Sequence, residues 1–434
     1  MLNILLIWME FHTPYGNSMF KVVETFSGIG AQAKALSRIG KDFEIINTCD
    51  WDINAIISYC RIHKGVIDLE KYADVSDDEI DAYLRKHTLS MDGKKPVNDK
   101  TYNRLTPGFK RLTYAAICDT KNLVSITDVR GNDIAENVDL FTYSFPCQDL
   151  SMCGYWHGNK SGIARDAHNR SGMLWEVERI LKEMYDEGRG LPHFLVMENV
   201  TNILSTTHKA DFDDWKNTLN SLGYYNKIYR LNAKNFGVPQ KRERAYMVSI
   251  LVDGNSEAIG KLNQYFEINN LEKSDISKKF SSREIMLKNI LRLDYSDPKL
   301  RQEADASQPN DTPSRMKIYQ ENDMLYDGKN INEINVNTVT TKQDRNPNSG
   351  LITYSNNKSG KTNWRYLMPR ELFMLMGFDE EDYERAISSN PEYLVGRKLL
   401  TTEKIVKMAG NSICVDVLEA IFKQIYEIND LLYL

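Results

Sequence analysis

The chain has 434 residues, which is enough for one large or two smaller domains with a sizeable buried core. With 41% hydrophobic and 26% charged residues its composition is ordinary for a globular protein, and the net charge of -5 argues against a general nucleic-acid binder, which carries a basic excess. No apolar run reaches the roughly 18 residues that a membrane span requires. If the partner is DNA, positive charge has to be concentrated on one face.

The beginning of the chain and its cysteines narrow the class further. The apolar stretch 1–9 lacks the basic flank and cleavage site of a signal peptide, so residues 1–18 are interpreted as a dispensable extension. The six cysteines form no CxxC pair, so no metal site is predicted. A cytoplasmic protein with free thiols is therefore expected.

Strand and helix patterns alternate through the first half of the chain. Strands are predicted at 21–26, 44–49, 125–129, 138–145, 194–197 and 245–251. Helices are predicted at 31–39, 52–63, 171–185 and 213–222, with Asp52 as an N-cap. This alternation indicates a mostly parallel sheet that is covered by helices on both faces.

Two stretches interrupt the alternation. Residues 65–124 are polar and charged and are interpreted as an insertion between two core units. Residues 253–362 are rich in Asn, Ser, Asp and Lys, and a loop of that length is improbable in a compact domain, so they indicate a second domain. The segment 404–428 returns to apolar periodicity.

A glycine-rich turn, FSGIGA at residues 26–31, follows the first predicted strand and opens the first helix. Glycines at this place let a ligand approach the backbone at the carboxyl end of a strand. Asp50 ends the next strand at a spacing that suits a carboxylate on ribose hydroxyls, and Trp51 can stack on an adenine ring. Alone, the pattern also fits a dinucleotide-binding fingerprint or a plain tight turn.

A cysteine follows another apolar strand in the sequence Pro146-Cys147-Gln148. The proline ends the ladder and forces a turn that would aim Cys147 into the crevice. Residues 151–170 have the composition of a mobile loop that could close over a substrate. Taken alone, a cysteine here is more typical of a buried structural thiol, and nearby Cys153 has no turn to aim it.

An acid and two arginines complete the candidate site. Glu198 closes an apolar strand, where a carboxylate is unusual unless it is paired or functional, although a capping or solvated acid is the other interpretation. Arg242 and Arg244 precede a later strand and at period two point to one face. Their alternative role is to protect a solvated strand edge.

Together these blocks resemble the bacterial DNA (cytosine-5) methyltransferases. The resemblance runs from Met19 to the end of the chain and rests on the order of the glycine turn, Pro-Cys-Gln, Glu-Asn-Val at 198–200 and Gln-Lys-Arg-Glu-Arg at 240–244. Blocks at 170–174, 369–378 and 410–412 also resemble the family, and residues 338–340 resemble its threonine-rich recognition element. FTYSFPCQDLS and RSGMLWE look most like CpG-type enzymes of wall-less bacteria, which concerns the catalytic half and does not fix the recognition sequence.

The resemblance implies an α/β fold with a Rossmann-like S-adenosylmethionine-dependent methyltransferase sheet and a second, smaller target-recognition domain. It divides the chain into an extension (1–18), a catalytic and cofactor-binding domain (19–252), a target-recognition domain with hinge (253–403) and a C-terminal segment that packs back on the catalytic domain (404–434). It implies S-adenosylmethionine as cofactor, with S-adenosylhomocysteine as product. The implied partner is double-stranded DNA, bound by a monomer, with a cognate restriction endonuclease acting separately on the same site.

Site residues follow from the same resemblance, position by position. The catalytic residues are Cys147, Glu198, Arg242 and Arg244. The cofactor-binding residues are Phe26, Ser27, Gly28, Gly30, Asp50, Trp51, Asp128, Val129, Pro146, Leu174, Asn411 and Ser412. The DNA-binding residues are Gln148, Ser151, Thr338, Val339 and Thr340.

Two features depart from the family pattern. The acid that binds the ribose is commonly glutamate in the family and is aspartate here, at Asp50, which keeps the charge on a shorter side chain. The segment 65–124 is longer than in the most compact members, and the sequence assigns it no role.

The chemistry explains why these residue types are needed. Addition of a thiolate at C6 of cytosine turns the ring into an enamine, so that C5 can accept a methyl group. A protonated Glu198 can donate to N3, and Arg244 can bind O2 with Arg242 beside it. Because a duplex hides these atoms, the base has to be flipped out, while the second domain reads base edges in the major groove.

Three other functions share parts of this pattern. A tRNA methyltransferase would keep the fold, but the long recognition region favours DNA because the tRNA-modifying branch has a smaller one. A nicotinamide-dependent oxidoreductase built on the glycine turn leaves Pro-Cys-Gln, Glu-Asn-Val and the arginines unexplained. A non-catalytic DNA-binding relative is disfavoured because every expected catalytic residue is present.

Overall fold

The computed structural model describes residues 19–147, 150, 162–163, 165 and 170–433. The extension 1–18 and most of the predicted loop 151–170 lie outside the described residues. The same holds for two predicted DNA-binding residues, Gln148 and Ser151, and for Cys153.

A six-stranded sheet lies at the centre of the described part, in the strand order β2-β1-β3-β4-β7-β5. Its strands are β1 (Phe20–Thr25), β2 (Phe43–Cys49), β3 (Leu140–Tyr143), β4 (Phe194–Val200), β5 (Tyr224–Asn232) and β7 (Glu243–Leu251), and the short β6 (Gln240–Lys241) precedes β7. Strands β2, β1, β3 and β4 run parallel, and β7 is antiparallel to both β4 and β5. The carboxyl ends of the four parallel strands therefore meet at one edge, where open α/β sheets bind ligands.

Helices cover this sheet and continue through the second half. In the first half they are α1 (Ala31–Ile39), α2 (Ile53–Lys64), α3 (Asp77–Arg85), α4 (Asp99–Tyr102), α5 (Pro107–Asp119), α6 (Leu174–Asp186) and α7 (Lys209–Ser221). In the second half they are α8 (Ser256–Ile268), α9 (Ser274–Phe280), α10 (Leu287–Ile290), α11 (Pro298–Ser307), α12 (Pro313–Glu321), α13 (Pro369–Leu375), α14 (Glu380–Ile387), α15 (Thr402–Asn411) and α16 (Val415–Leu432). None of the helices in the described part combines the length and apolar character that a bilayer crossing needs.

Two hydrophobic cores lie on opposite faces of the sheet. Val22 packs into one core and its neighbour Val23 into the other, because successive strand residues point to opposite faces. Helices α1, α2, α5 and α16 cover the first face, and α6 and α7 cover the second around the fully buried Trp215. The predicted mostly parallel α/β sheet with both faces covered is confirmed.

Local signals explain where the first two helices begin and end. Gly30 and Gly40 flank α1 in left-handed conformations, and the observed bounds are those predicted. The Asp52 side chain accepts a hydrogen bond from the Asn54 amide and so caps α2, as expected.

The strand predicted at 125–129 is wrong. Val124 has a φ of 64°, and the Asn122 side chain accepts the Val124 amide at 2.7 Å, which turns the backbone before a ladder can form. Ile126 and Val129 nevertheless pack into the second core, which accounts for the apolar run. The sequence also missed β5, a strand at the sheet edge whose side chains are mostly half-buried.

The segment 65–124 folds onto the face of the sheet that α2 covers. Ile80 and Leu84 of α3 and Phe109 of α5 are buried in the same core as α2. This segment also contacts Trp51, which follows Asp50 near the glycine turn. The Ser90 amide donates a hydrogen bond to the Trp51 carbonyl at 2.8 Å.

The region after β7 begins on the sheet and then builds small structures of its own. Leu262 of α8 and Phe280 of α9 belong to the first core of the six-stranded sheet. Further along, two small clusters form, which are Leu300, Ala304, Tyr354 and Met368, and Ile318, Leu351, Trp364 and Tyr366. The domain boundaries given above stay predictions.

The strands of this region are short. They are β8 (Met324–Tyr326), β9 (Val336–Asn337), β10 (Leu351–Thr353), β11 (Trp364–Tyr366), β12 (Glu392–Leu394) and β13 (Arg397–Lys398). One small sheet consists of β8, β10 and β11, and a hairpin consists of β12 and β13. Strand β9 instead pairs with β6, next to the six-stranded sheet.

Candidate active site

Cys147 lies four residues beyond the end of β3, at the sheet edge where the parallel strands end. Two side chains hold the turn that precedes it. The Ser171 hydroxyl donates to the Pro146 carbonyl at 2.7 Å, and the Asn199 amide donates to the Phe145 carbonyl at 3.0 Å. Cys147 is half-buried, and the turn before it is held by Asn199 of the neighbouring strand β4 and by Ser171, which lies just before α6.

Several charges act on this thiol. Burial raises the pKa of Cys147, and Glu198 raises it further, whereas Arg244 and Arg242 lower it. The two arginines therefore favour the thiolate against burial, and Arg244 has the stronger effect of the two.

Glu198 lies on β4, beside β3, and is buried at 7% exposure. The Ser144 hydroxyl donates to Glu198 Oε2 at 2.6 Å, and Arg244 Nε lies 3.3 Å from Oε1. The register of β4 and β7 explains the pairing. Val200 lies opposite Arg244, and Glu198 lies two residues before Val200 on the same face of β4. The structure thus brings Cys147, Glu198 and Arg244 to one place at the sheet edge.

Arg242 makes different contacts from Arg244. It is 4% exposed, and its guanidinium donates to the Val339 carbonyl at 2.8 Å, the Ser412 carbonyl at 2.7 Å and the Gly410 carbonyl at 3.1 Å. Burial and the neighbouring Arg244 lower the pKa of Arg242 to about 10. The two arginines, which were predicted to share one strand face, therefore have different partners. One pairs with Glu198, and the other binds backbone carbonyls.

The glycine turn joins β1 to α1 in an unusual backbone conformation. Phe26, Gly28 and Gly30 all have positive φ, at 53°, 53° and 81°. A Cβ added at Gly28 would meet nothing within 4 Å, whereas one at Gly30 would lie 2.1 Å from His63 Nε2. Gly28 therefore leaves open space above the turn, and Gly30 permits close packing against α2.

Asp50 is tied to this turn. Its Oδ2 accepts the Gly28 amide at 2.9 Å and its Oδ1 accepts the Asp52 amide at 2.8 Å. Burial, with a smaller contribution from Asp52, raises the pKa of Asp50 to about 6. Trp51 beside it is partly buried against the first core. The Ser27 amide donates a hydrogen bond to the Cys49 carbonyl at 3.2 Å, which holds Ser27 in place.

The other predicted cofactor-binding residues are more widely spaced. Asp128 is exposed, and its Oδ2 accepts the Thr88 amide at 3.2 Å, whereas Val129 and Leu174 are buried. Asn411 is exposed and Ser412 is buried at the end of α15.

Helix α15 lies beside the predicted cofactor crevice, which is the space at the carboxyl ends of β1 and β2. Lys407 Nζ lies 3.3 Å from Asp52 Oδ2, and Lys404 Nζ donates to the Asn54 side chain at 3.1 Å. The C-terminal segment is therefore fixed beside Asp50 and Trp51.

The predicted recognition residues lie against β6, the short strand that precedes β7. The Thr338 hydroxyl donates to the Lys241 carbonyl at 2.7 Å, and the Val339 amide donates to Gln240 Oε1 at 2.9 Å. Thr340 follows them and is half-buried. These residues come just after β9, which pairs with β6, so a strand ladder sets their position.

Sequence reasoning missed three polar residues of the site. Ser144 and Ser171 hold Glu198 and the cysteine turn, and Gln240 is fully buried between Val339 and the Leu375 carbonyl. The sequence signal that could have identified these residues is their position, because each lies within or next to a block of the family pattern. In the described part of the chain, no three Cys, His, Asp or Glu side chains cluster in a way that could hold a metal ion.

Comparisons with known proteins identify the family. The family model for C-5 cytosine-specific DNA methylase matches residues 110–427. The orphan methyltransferase M.SssI of Spiroplasma monobiae is 34% identical over 93% of this chain and 97% of its own length. The type II methyltransferase M2.ScrFI of Lactococcus lactis subsp. cremoris is 30% identical over 94% of this chain and 99% of its own length.

Solved structures show the same fold at low sequence identity. The Dnmt2 methyltransferase of S. pombe has a TM-score of 0.54 at 16% identity, covering 96% of this chain and all of that one. The methyltransferase EhMeth of Entamoeba histolytica has a TM-score of 0.53 at 16% identity, covering 95% of this chain and 99% of that one. Taken with the family model and the two bacterial relatives, the chain belongs to the C-5 cytosine-specific DNA methylase family and is a DNA methyltransferase that uses S-adenosylmethionine.

Proposed function

We propose that this enzyme methylates C5 of a cytosine flipped out of a short specific duplex sequence, with Cys147 as the covalent nucleophile. The observation that carries the proposal is the convergence of Cys147 with the Glu198–Arg244 pair at the carboxyl edge of the sheet. A thiol, a buried carboxyl and a guanidinium are the three groups that addition at C6 of cytosine requires.

The glycine turn fits a nucleoside-containing cofactor. The space above Gly28 leaves room for a ligand to approach the backbone, and the Asp50 oxygens retain lone pairs for ribose hydroxyls beyond their two backbone bonds. Trp51 and Asp128 would hold the adenine, and Asn411 and Ser412 lie on the segment that α15 fixes nearby. When bound, S-adenosylmethionine supplies an electrophilic methyl group.

In the proposed reaction the chain's own residues do the following. The Cys147 thiolate adds to C6, and Glu198 shares a proton with N3 so that the negative charge does not accumulate on the ring. Arg244 donates to O2 and stabilises the adduct. After C5 accepts the methyl group, a base such as water removes the C5 proton, and the resulting elimination breaks the S–C6 bond and restores the thiolate.

The proposed role of Glu198 requires that the present contacts of its carboxyl group rearrange when a base binds. Both of its oxygens are engaged, one by Ser144 and one by Arg244. A bound cytosine would take over Arg244 at its O2 and one carboxyl oxygen at N3, while Ser144 continues to orient the other oxygen. The ion pair of Glu198 and Arg244 thus holds the two groups ready where the base will enter.

We place this activity on DNA in the cytoplasm, by a monomeric enzyme in a restriction–modification system. The Lactococcus relative is named a type II methyltransferase and supports that setting, whereas the Spiroplasma relative is named an orphan. A cognate endonuclease, if the cell has one, would cut the same site only when it is unmethylated. Bisulfite sequencing of plasmid from expressing cells identifies the site, and digestion of unmethylated plasmid by extracts of the source cell tests for the endonuclease.

Trapping on DNA that carries 5-fluorocytosine tests the nucleophile. Fluorine at C5 cannot leave as a proton does, so the wild-type enzyme should form a stable covalent complex that a denaturing gel resolves. Cys147→Ala should form none and should lose methylation by roughly 10³-fold or more. Adding tRNA as competitor in the methylation assay distinguishes the two nucleic-acid substrates.

Two other cysteines provide controls for this experiment. Cys118→Ala changes a half-buried thiol on α5, and Cys153→Ala changes the cysteine nearest in sequence. Both variants should trap and methylate nearly as the wild type does. Normal trapping by Cys147→Ala would exclude the proposed mechanism.

A further inference from the structure

The Arg242 guanidinium is a buried charge that makes all of its hydrogen bonds in the described part of the chain to backbone carbonyls. It forms no ion pair there, and its Nε is buried without a partner among those residues. Burying a charge without a counter-ion costs free energy, which the three carbonyl bonds offset only in part. A neutral side chain would fill this place more cheaply if packing were its only purpose.

The three carbonyls come from two distant parts of the chain. Val339 is the centre of the predicted recognition stretch and lies 97 residues after Arg242. Gly410 and Ser412 end α15, whose Lys407 contacts Asp52 in the cofactor crevice. Arg242 is therefore bonded at once to the DNA-reading side and to the cofactor side of the proposed enzyme.

These two segments also touch each other directly. A Cβ on Gly410 would lie 2.4 Å from the Thr340 carbonyl carbon, so the backbones of the two segments are already in contact. On the recognition side, Gln240 accepts the Val339 amide at 2.9 Å and donates to the Leu375 carbonyl at 2.7 Å. A shift of either segment must therefore change the bonds of Arg242.

We propose that Arg242 is a positioning residue that couples target recognition to cofactor binding, by holding Thr338–Thr340 and Gly410–Ser412 in one fixed arrangement. The inference rests on the proposed function. Ordering of the recognition stretch places one of the three Arg242 acceptors, and ordering of the cofactor-side stretch places the other two. The second ligand therefore binds to a protein that is already partly ordered. The two ligands then tighten each other's binding by the same factor.

The charge of Arg242 gives this arrangement a second effect. Arg242 is one of the two arginines that lower the pKa of Cys147, although it contacts carbonyls rather than the thiol. The carbonyls that hold its guanidinium therefore also fix one of the charges that favour the thiolate.

Linked binding measurements test the coupling. Fluorescence anisotropy gives the affinity for a duplex that contains the mapped site, with and without saturating S-adenosylhomocysteine. For the wild type, S-adenosylhomocysteine should tighten duplex binding by about tenfold, within the usual range of allosteric coupling. Arg242→Lys keeps the charge and loses the planar fork, so this ratio should fall below about twofold.

A buried arginine elsewhere provides the matched control. Arg365 is fully buried, and its bonds go to Glu371 and to other residues of the second half, away from the cofactor segment. Arg365→Lys should lower stability while keeping the tenfold ratio. A purely structural role for Arg242 would give both variants the same pattern.

The outcomes separate this inference from the proposed function. A wild-type ratio near one, or a full ratio in Arg242→Lys, overturns the coupling, while continued trapping on 5-fluorocytosine leaves the mechanism intact. Loss of wild-type trapping would instead contradict the mechanism. Should Arg242→Lys fail to fold, Gln240→Met removes the bond that Gln240 accepts from the Val339 amide, leaves Arg242 in place and should also lower the ratio.

Discussion

Asp50 contributes to stability and is proposed to bind the cofactor, and these two roles depend oppositely on its proton. Burial, with a smaller contribution from Asp52, raises its pKa to about 6, although the bonds that its oxygens accept from the Gly28 and Asp52 amides lower it. A raised pKa means that the protonated form is favoured in the folded protein. Its contribution to stability is therefore complete below the unfolded pKa near 4 and is lost as the pH rises through about 6.

Cofactor binding should follow the opposite direction with pH. Ribose hydroxyls donate to a carboxylate, so the affinity for S-adenosylhomocysteine should rise as the pH increases from 5 to 7. Asp50→Ala should weaken that affinity by about tenfold or more at pH 7, as loss of a charged hydrogen-bond acceptor does. Trp51→Ala should weaken it as well, through lost stacking, and duplex affinity without cofactor should stay nearly unchanged in both.

Calorimetric titration at pH 5, 6 and 7 measures these affinities. Asp50→Asn is the matched variant, since it keeps the shape and cannot ionise, and its affinity should be independent of pH across that range. Unchanged cofactor affinity in both Asp50→Ala and Trp51→Ala would contradict the assigned crevice.

At the scale of elements, β11 and α13 are joined by a fully buried ion pair. Arg365 donates to Glu371 from two nitrogens, at 2.8 and 2.9 Å, and both side chains are 0% exposed. Glu371 also accepts the Met368 and Arg292 amides at 2.7 and 2.8 Å, so it caps α13 and fixes the chain after α10.

Arg365→Met should therefore destabilise the protein by roughly 3–5 kcal/mol, because it leaves the Glu371 carboxylate buried without its partner. Urea unfolding measures this loss. Arg345→Met, at a side chain that is 68% exposed, is the control and should change stability by less than about 0.5 kcal/mol. Equal losses in the two variants would show that the buried pair is not the source of the effect.

The elements of the catalytic half were predictable because their signals are local. The glycines at both ends of α1 and the Asp52 cap are read directly from neighbouring residues, and parallel strands bring their carboxyl ends together whatever their length. The strand predicted at 125–129 failed because one positive φ at Val124 overrides an apolar run. β5 was missed because a strand at the sheet edge lacks clear alternation.

The partners of Arg242 and Arg365 were beyond sequence reasoning for a different reason. Arg242 meets carbonyls 97 to 170 residues away, and a backbone carbonyl carries no sequence signal. Pairing Arg242 with Arg244 by strand period was sound locally, but it could not show that β6 and β9 pair across the molecule. Ser144 could have been suspected from its position three residues before Cys147.

At the scale of the whole molecule, specificity is expected to reside in residues 253–362. Grafting this region onto a related methyltransferase should transfer the recognition sequence, since each bidentate base contact there is worth about 1–3 kcal/mol. Phosphate contacts are shared by all sequences and weaken with salt, so they should not follow the graft. Bisulfite sequencing of plasmid from cells expressing the chimera reads the result.

The contacts of the structure set the design of that chimera. Gln240 and Arg242 lie outside the grafted region and bind Val339 inside it, so the host should retain both residues. A second chimera that lacks them serves as control and should bind its new site more weakly. An active chimera that still methylates the host's site would place specificity elsewhere, in 65–124 or in the loop after Cys147.

Helix α16 has a consequence for the order in which a ribosome makes this enzyme. It packs on α1, its Tyr426 ring lies 4.7 Å from that of Phe20 on the first strand, and its Gln424 accepts the Tyr229 hydroxyl at 3.0 Å. The part of the first core that α16 covers therefore stays open while nearly four hundred residues of nascent chain emerge. Folding of this face is therefore completed only after α16 has left the ribosome.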